Sequence, residues 1–110
     1  MKTIKKIEGR KVGGLKPSNV QERRKAGVYL KQCREVIGLT QREVAQKCNF
    51  EYYTFISQLE GGHGKLPSDK WEIYARTVDQ DVTVFARRML QYYEPVAYGL
   101  IFEKGEMSDG

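Results

Sequence analysis

Two short helical patterns stand almost end to end in the middle of this 110-residue chain. The first is "LTQREVAQKCN", in which Thr40 and Glu43 have the spacing of a capping box, so that their side chains satisfy free amides of the first turn. Its inner face comprises Val44, Ala45 and Cys48. Asn49 ends this helix, because asparagine tolerates the left-handed backbone conformation. Ala45 is small, and its methyl group lets a neighbouring helix approach closely.

The second pattern, "NFEYYTFISQLEGG", predicts a helix over residues 51–60. At 100° per residue its inner face is apolar and comprises Tyr52, Phe55, Ile56 and Leu59. Its outer face is polar but uncharged and comprises Tyr53, Thr54, Ser57 and Gln58. A surface helix that meets only water normally carries Lys, Glu or Arg there, so this face indicates contact with another molecule. A polar surface without a role is the alternative.

Three further apolar patterns complete an all-α prediction of five helices. One spans 18–38, begins with Ser18 and Gln21 at capping-box spacing, and has an apolar stripe formed by Ala26, Tyr29, Leu30, Cys33, Val36 and Ile37. Another opens at Pro67–Ser68, and its stripe is Trp71, Tyr74, Ala75 and Val78. The last starts at Asp79 or Asp81 and is broken by Glu94–Pro95. Its stripe is Val82, Phe85, Ala86, Met89 and Tyr93.

The charge is concentrated at one end of the chain. Residues 1–25 hold nine Lys or Arg against two acids, a net +7, whereas residues 26–110 hold ten against twelve, a net −2. We therefore predict a flexible basic arm at 1–17, a compact domain at 18–88, an apolar C-terminal extension at 89–103 and a polar tail at 104–110. A basic arm suits a polyanion such as nucleic acid, although basic tails also occur as plain solvated chain. Its cations are Lys5, Lys6, Arg10, Lys11 and Lys16.

Several classes of protein fit this sequence poorly. No apolar run is long enough to span a bilayer, and no apolar stretch follows the basic N-terminus as in a secretory signal, so we expect a cytoplasmic location without membrane contact. The two cysteines are expected to be reduced, with Cys33 a small buried hydrophobe. The single His63 leaves too few ligands for a zinc site, and we expect no metal or cofactor. An enzyme is the least expected class, because no carboxylate pair, Ser/His pair or Cys/His pair is brought together by helical spacing.

The motifs "LTQREVAQKC", "FISQLEGG", "KLPSD", "YARTV" and "VTVFA" together resemble the helix-turn-helix domain of the Xre/Cro family of phage-type repressors. The resemblance covers roughly residues 26–85. One departure concerns the connection: five residues, "EYYTF", separate Phe50 from Ile56 where the common family pattern has four. Ser57 and Gln58 therefore correspond to the family more directly than Tyr52 and Tyr53.

The resemblance implies a prokaryotic or phage transcription regulator, expected to be a repressor, that acts on double-stranded DNA in the nucleoid. Its third helix would lie in the major groove and read bases. The base-reading candidates are Tyr53, Thr54, Ser57 and Gln58, and Tyr52 joins them if the helix begins one position late. The phosphate-binding candidates are Gln41, the family's usual backbone clamp, with Arg42, His63 and Lys65.

One domain of this size contacts a half-site, so we expect a homodimer on a palindromic operator. The apolar extension is the predicted interface, and its candidates are Met89, Tyr92, Tyr93, Tyr98, Leu100, Ile101 and Phe102. The competing explanation is that this segment completes the core of its own chain. A second functional class is an antitoxin-like module that binds a partner toxin and regulates its own synthesis through DNA. RNA binding is a third, but we predict no β-sheet with an aromatic platform for unpaired bases.

Overall fold

A computed structural model describes residues 17–104, with side chains described from residue 20 to residue 103. It contains six α-helices: α1 (Pro17–Val36), α2 (Gln41–Lys47), α3 (Thr54–Glu60), α4 (Trp71–Thr77), α5 (Val82–Tyr93) and α6 (Pro95–Tyr98). A 3-10 turn, Ser68–Lys70, leads into α4, and α6 continues as π-helical turns over Gly99–Lys104. The described part of the chain holds no strand. The all-α prediction is confirmed, and α6 adds a helix to the five predicted.

Local signals account for the start of two of these helices. The capping box of α2 is present, since the Glu43 amide donates to the Thr40 hydroxyl at 3.0 Å and the Thr40 amide donates to the Glu43 carboxylate at 2.8 Å. The bond from the Thr40 backbone lowers the pKa of Glu43. Asp81 caps α5 by accepting from the amide of Val84. Ser18, in contrast, lies inside the first turn of α1 and is not the residue before it.

The core is a single cluster to which five helices contribute. Its fully or almost fully buried members are Ala26, Leu30, Cys33, Val44, Ala45, Cys48, Ile56, Leu59, Leu66, Tyr74, Ala75, Val78, Phe85 and Met89. All but Leu66 belong to the predicted apolar stripes or inner faces. Burial raises the pKa of both thiols, Cys33 and Cys48, as expected for small core residues. The stripe of α1 ends earlier than predicted, because Val36 lies exposed at the end of the helix.

The third helix begins at Thr54, three residues later than predicted, and this changes the position of Tyr52. Asn49 has a φ of 62°, which turns the chain so that the Phe50 amide donates to the Ala45 carbonyl at 2.9 Å. The Phe50 ring then packs on Phe55 with 5.0 Å between centroids. Phe50 thus occupies the apolar position expected for Tyr52, and Tyr52 remains 65% exposed. The prediction that Tyr52 belongs to the core is wrong.

The contact between α1 and α3 depends on a glycine in the middle of α1. A methyl group at Gly27 would lie 2.6 Å from the Leu59 carbonyl oxygen and closer still to the Glu60 carbonyl oxygen. Backbone atoms cannot yield as a flexible side chain does, so only glycine permits this separation of the two helices. Gly62, with a φ of 81°, then turns the chain back against Arg24 of α1.

Candidate nucleic-acid interface

Three polar side chains project from α3 on the side away from the core. Thr54, Ser57 and Gln58 are all exposed, while Ile56 and Leu59 of the same helix are buried. Their spacing of three and four residues places them on one side of the helix. We call these three residues the polar face of α3. They can donate and accept hydrogen bonds without carrying charge, as the sequence predicted for this surface.

A buried ion pair fixes the end of α3 to α1. The Arg34 guanidinium bonds both oxygens of Glu60, with Nε at 2.6 Å from Oε2 and Nη2 at 2.9 Å from Oε1. The two side chains are only 10% and 4% exposed. Nη1 of Arg34 also donates to the Leu39 carbonyl at 2.8 Å, between α1 and α2. Three elements are therefore joined at one guanidinium, and the bond to Glu60 raises the pKa of Arg34.

Gln41 belongs to the same network. Its Nε2 donates to Oε1 of Glu60 at 2.9 Å, so the first residue of α2 is bonded to the last residue of α3. The sequence predicts a phosphate contact for this amide. In the structure one of its two N–H groups serves to hold α2 and α3 together, and only the other is left for a ligand.

Arg42 and Tyr53 form a stacked pair at the surface. The guanidinium carbon of Arg42 lies 4.4 Å from the centroid of the Tyr53 ring. Tyr53 is the residue before α3, is 41% exposed, and makes no capping hydrogen bond with its side chain. One face of the predicted base reader Tyr53 is thus covered by the predicted phosphate contact Arg42.

The other two phosphate candidates lie after α3. His63 is exposed, and its amide donates to the Gln58 carbonyl at 2.9 Å, which continues the last turn of α3. Lys65 is paired with an acid instead, since its Nζ lies 3.2 Å from Oε2 of Glu94 at the end of α5. The loop therefore keeps His63 beside α3 but pairs Lys65 with an acid.

The C-terminal candidates separate into two groups. Met89 is fully buried, and the Tyr93 hydroxyl accepts from the Leu66 amide at 3.0 Å, while Tyr92 packs against Tyr29 with 5.9 Å between centroids. These three residues complete the core of their own chain, which is the competing explanation for this part of the segment. Met89 in particular has no exposed surface to offer a second copy, and it belongs to the domain rather than to the extension.

The residues beyond Glu94 have an inner side and an outer side. The ring of Phe102 lies 4.9 Å from that of Tyr98 and 4.7 Å from the guanidinium carbon of Arg87 on α5. Leu100 and Ile101 point outward and are 58% and 57% exposed, and Val96 is more exposed still. The candidate interface is therefore narrower than predicted, but it remains apolar.

The structural roles of Arg34 and Gly27 were not predicted from the sequence, although the sequence contains an indication of each. Arg34 stands four residues after the buried Leu30, so a charge falls on the apolar stripe of α1. A charge in that position requires a partner, which is Glu60. Gly27 stands in a helix interior, where glycine costs about 1 kcal/mol relative to alanine and so usually marks a close packing contact.

The candidates Lys5, Lys6, Arg10, Lys11 and Lys16 of the basic arm lie outside the described residues. Among residues 17–104, no helix has both the length and the apolar composition needed to cross a membrane. No protein-family model matches the chain, and no curated protein matches it significantly.

Proposed function

We propose that this chain is a sequence-specific, double-stranded DNA-binding regulator of transcription that places α3 in the major groove. The observation that supports this is the polar face of α3, which is uncharged and exposed and belongs to a helix held in place by buried contacts. The buried Arg34–Glu60 pair and the close approach at Gly27 hold the C-terminal end of α3 against α1. A reading helix needs such a support, because base edges are recognised by hydrogen bonds of fixed geometry.

The three side chains supply the chemistry of base recognition. Gln58 has a carbonyl oxygen and an amide nitrogen, which together match the N6 and N7 positions of adenine. Ser57 donates or accepts, and Thr54 adds a methyl group that suits the methyl group of thymine. None of the three carries a charge, so sequence preference would come from the pattern of donors and acceptors and not from general attraction to phosphate.

General attraction would come from cations around this face. Arg42 stands next to the start of α3, and residues 1–25, which include the arm and the first turns of α1, carry a net charge of +7. Phosphate contacts of this kind set affinity and salt dependence without selecting a sequence. The proposed protein binds and does not catalyse: it would occupy an operator as a repressor in the cytoplasm, on nucleoid DNA, and needs no cofactor or metal for this.

Selection from a pool of random duplexes tests the proposal. The full chain should enrich one motif, and binding to that motif should exceed binding to a scrambled duplex of the same composition. Removing the amide with Gln58→Ala should cost about 1–3 kcal/mol and relax the preference at one base pair. Gln91→Ala, at an exposed position of α5, is the matched control and should bind as the wild type does. A pool that remains random after selection would refute the proposal.

The extension carries a row of exposed apolar side chains, which favours contact with a second protein chain. Val96, Leu100 and Ile101 present apolar side chains to solvent on a segment whose other side already packs on α5. In the proposed regulator this row joins two copies, so that two α3 helices reach the two halves of a palindrome. The antitoxin-like alternative would place a toxin on the same row. A second, different chain that co-purifies in equal amounts would favour that alternative.

A further inference from the structure

Arg42 and Tyr53 come from different helices and meet across the connection between them. Arg42 is the second residue of α2, and Tyr53 directly precedes α3. At 4.4 Å from the ring centroid, the guanidinium carbon is well within the distance at which a cation is attracted to the face of an aromatic ring. Both side chains are exposed, so the pair forms on the surface beside the first turn of α3.

The Tyr53 ring contacts the Arg42 guanidinium, and no group among residues 20–103 accepts a hydrogen bond from it. Within the described part of the chain, Arg42 has no carboxylate partner and no side-chain hydrogen bond. Two other cations show the contrast, since Arg76 is bonded to Glu72 and Lys65 to Glu94. A planar fork with free N–H groups is the geometry that binds two oxygens of a phosphate at once.

We propose that Tyr53 is a positioning residue, whose ring holds Arg42 so that the guanidinium binds a backbone phosphate at the edge of the groove that α3 enters. This inference rests on the proposed function and changes the role of Tyr53 from reading a base to orienting another side chain. Arg42 covers one face of the ring, and the base-reading groups belong to the polar face of α3 beyond it. Stacking also removes part of the rotamer freedom of arginine before DNA arrives, so less is lost on binding.

A mutant cycle on duplex DNA tests the coupling. The variants are Arg42→Ala, Tyr53→Leu, their double variant and Tyr53→Phe. Tyr52→Leu, alone and combined with Arg42→Ala, is the control at the neighbouring tyrosine, which does not stack on Arg42. Each is titrated against the selected duplex and a scrambled duplex over a salt series. Equal thermal midpoints establish that all variants are folded.

The expected pattern is specific to a positioning role. Tyr53→Phe keeps the ring and binds as the wild type does. Tyr53→Leu weakens binding to both duplexes by about 2- to 5-fold, the range for an exposed cation–π contact. Arg42→Ala weakens both as well, and lowers the slope of log affinity against log salt by about 0.9, the value for one phosphate. The double variant of Arg42 and Tyr53 is no weaker than Arg42→Ala alone. Any effect of Tyr52→Leu, in contrast, multiplies with that of Arg42→Ala.

Several results would overturn the inference alone. If the effects of Arg42→Ala and Tyr53→Leu multiply in the double variant, the two residues act independently. If Tyr53→Leu relaxes the preference at one base pair, Tyr53 reads a base. If Arg42→Ala does so and leaves the salt slope unchanged, Arg42 reads a base and not a phosphate. A wild-type chain that binds no duplex at all would instead overturn the proposed function and this inference with it.

Discussion

The two ends of the described domain differ in which side chains they bury and which they expose. At the α2–α3 end, one charged pair, Arg34 with Glu60, is buried inside the fold, and the outward side of α3 carries polar groups without charge. At the C-terminal end, apolar side chains are exposed: Val96, Leu100 and Ile101 face solvent on a short helical segment. The first end therefore holds a polar surface in a fixed geometry, whereas the second offers apolar surface whose burial lowers the free energy.

The largest effect is expected at the buried ion pair. Glu60→Ala removes the acceptor of both Arg34 and Gln41 and leaves the guanidinium unpaired, so we expect a loss of about 3–5 kcal/mol in the free energy of unfolding, measured by urea denaturation. The double variant Arg34→Met with Glu60→Leu removes both charges. It should be far more stable than Glu60→Ala, because no charge is left buried alone. Equal losses in the two variants would show that the pair does not act as a pair.

The next effect concerns the close approach of α1 and α3. Gly27→Ala places a methyl group against two backbone carbonyls, and overpacking of this kind typically costs about 1–3 kcal/mol. The helix propensity of alanine would favour the opposite sign by about 1 kcal/mol. Val28→Ala, at the neighbouring exposed position, is the control and should change the free energy of unfolding by less than about 0.5 kcal/mol. A Gly27→Ala protein more stable than the wild type would contradict the close approach.

Two tyrosines give a matched test of intermediate size. The Tyr93 hydroxyl accepts from the Leu66 amide and so ties the loop after α3 to the end of α5, next to the C-terminal segment. Tyr93→Phe should lower the free energy of unfolding by about 1 kcal/mol. The Tyr74 hydroxyl is buried and has no hydrogen-bond partner in the described part of the chain. Tyr74→Phe should therefore leave the stability unchanged or raise it by up to about 1 kcal/mol in the same urea titration.

The smallest effect on stability is expected at the apolar row. Replacing Val96, Leu100 and Ile101 by serine removes side chains that are exposed in the single chain. The free energy of unfolding, measured at low protein concentration, should therefore change by less than about 1 kcal/mol. The mass in solution should change instead, from two copies to one, as measured by light scattering at increasing concentration. A triple variant that remains dimeric would place the interface elsewhere. A wild-type chain that is already monomeric would contradict the two-copy proposal.

The helices could be predicted from the sequence because burial repeats every three to four residues. This worked for α2, α4 and α5, where the caps at Thr40 and Asp81 and the break at Pro95 are local signals. It failed at the start of α3, since a helical wheel assumes that the helix has already begun. Where it begins is decided by the packing of Phe50 on Phe55, across the turn at Asn49.

The candidate site was predictable only where it depends on one helix. The polar face of α3 could be predicted from the helical period of one segment, and Thr54, Ser57 and Gln58 are exposed as predicted. The use of Gln41 could not be predicted, because Glu60 lies nineteen residues away and its bond depends on how α2 and α3 pack. The contact of Arg42 with Tyr53 could not be predicted for the same reason. Each residue was predicted to contact DNA, but no local sequence pattern indicates that the two side chains touch each other.

The most direct test of the central claim is to compare the motifs that matched variants select. Wild type, Gln58→Ala and Gln91→Ala are each put through selection from the same random duplex pool, at one salt concentration. We expect that wild type and Gln91→Ala enrich the same motif and that Gln58→Ala loses the preference at one position within it. An unchanged motif for Gln58→Ala, or no motif for the wild type, would contradict the claim that the polar face of α3 reads DNA.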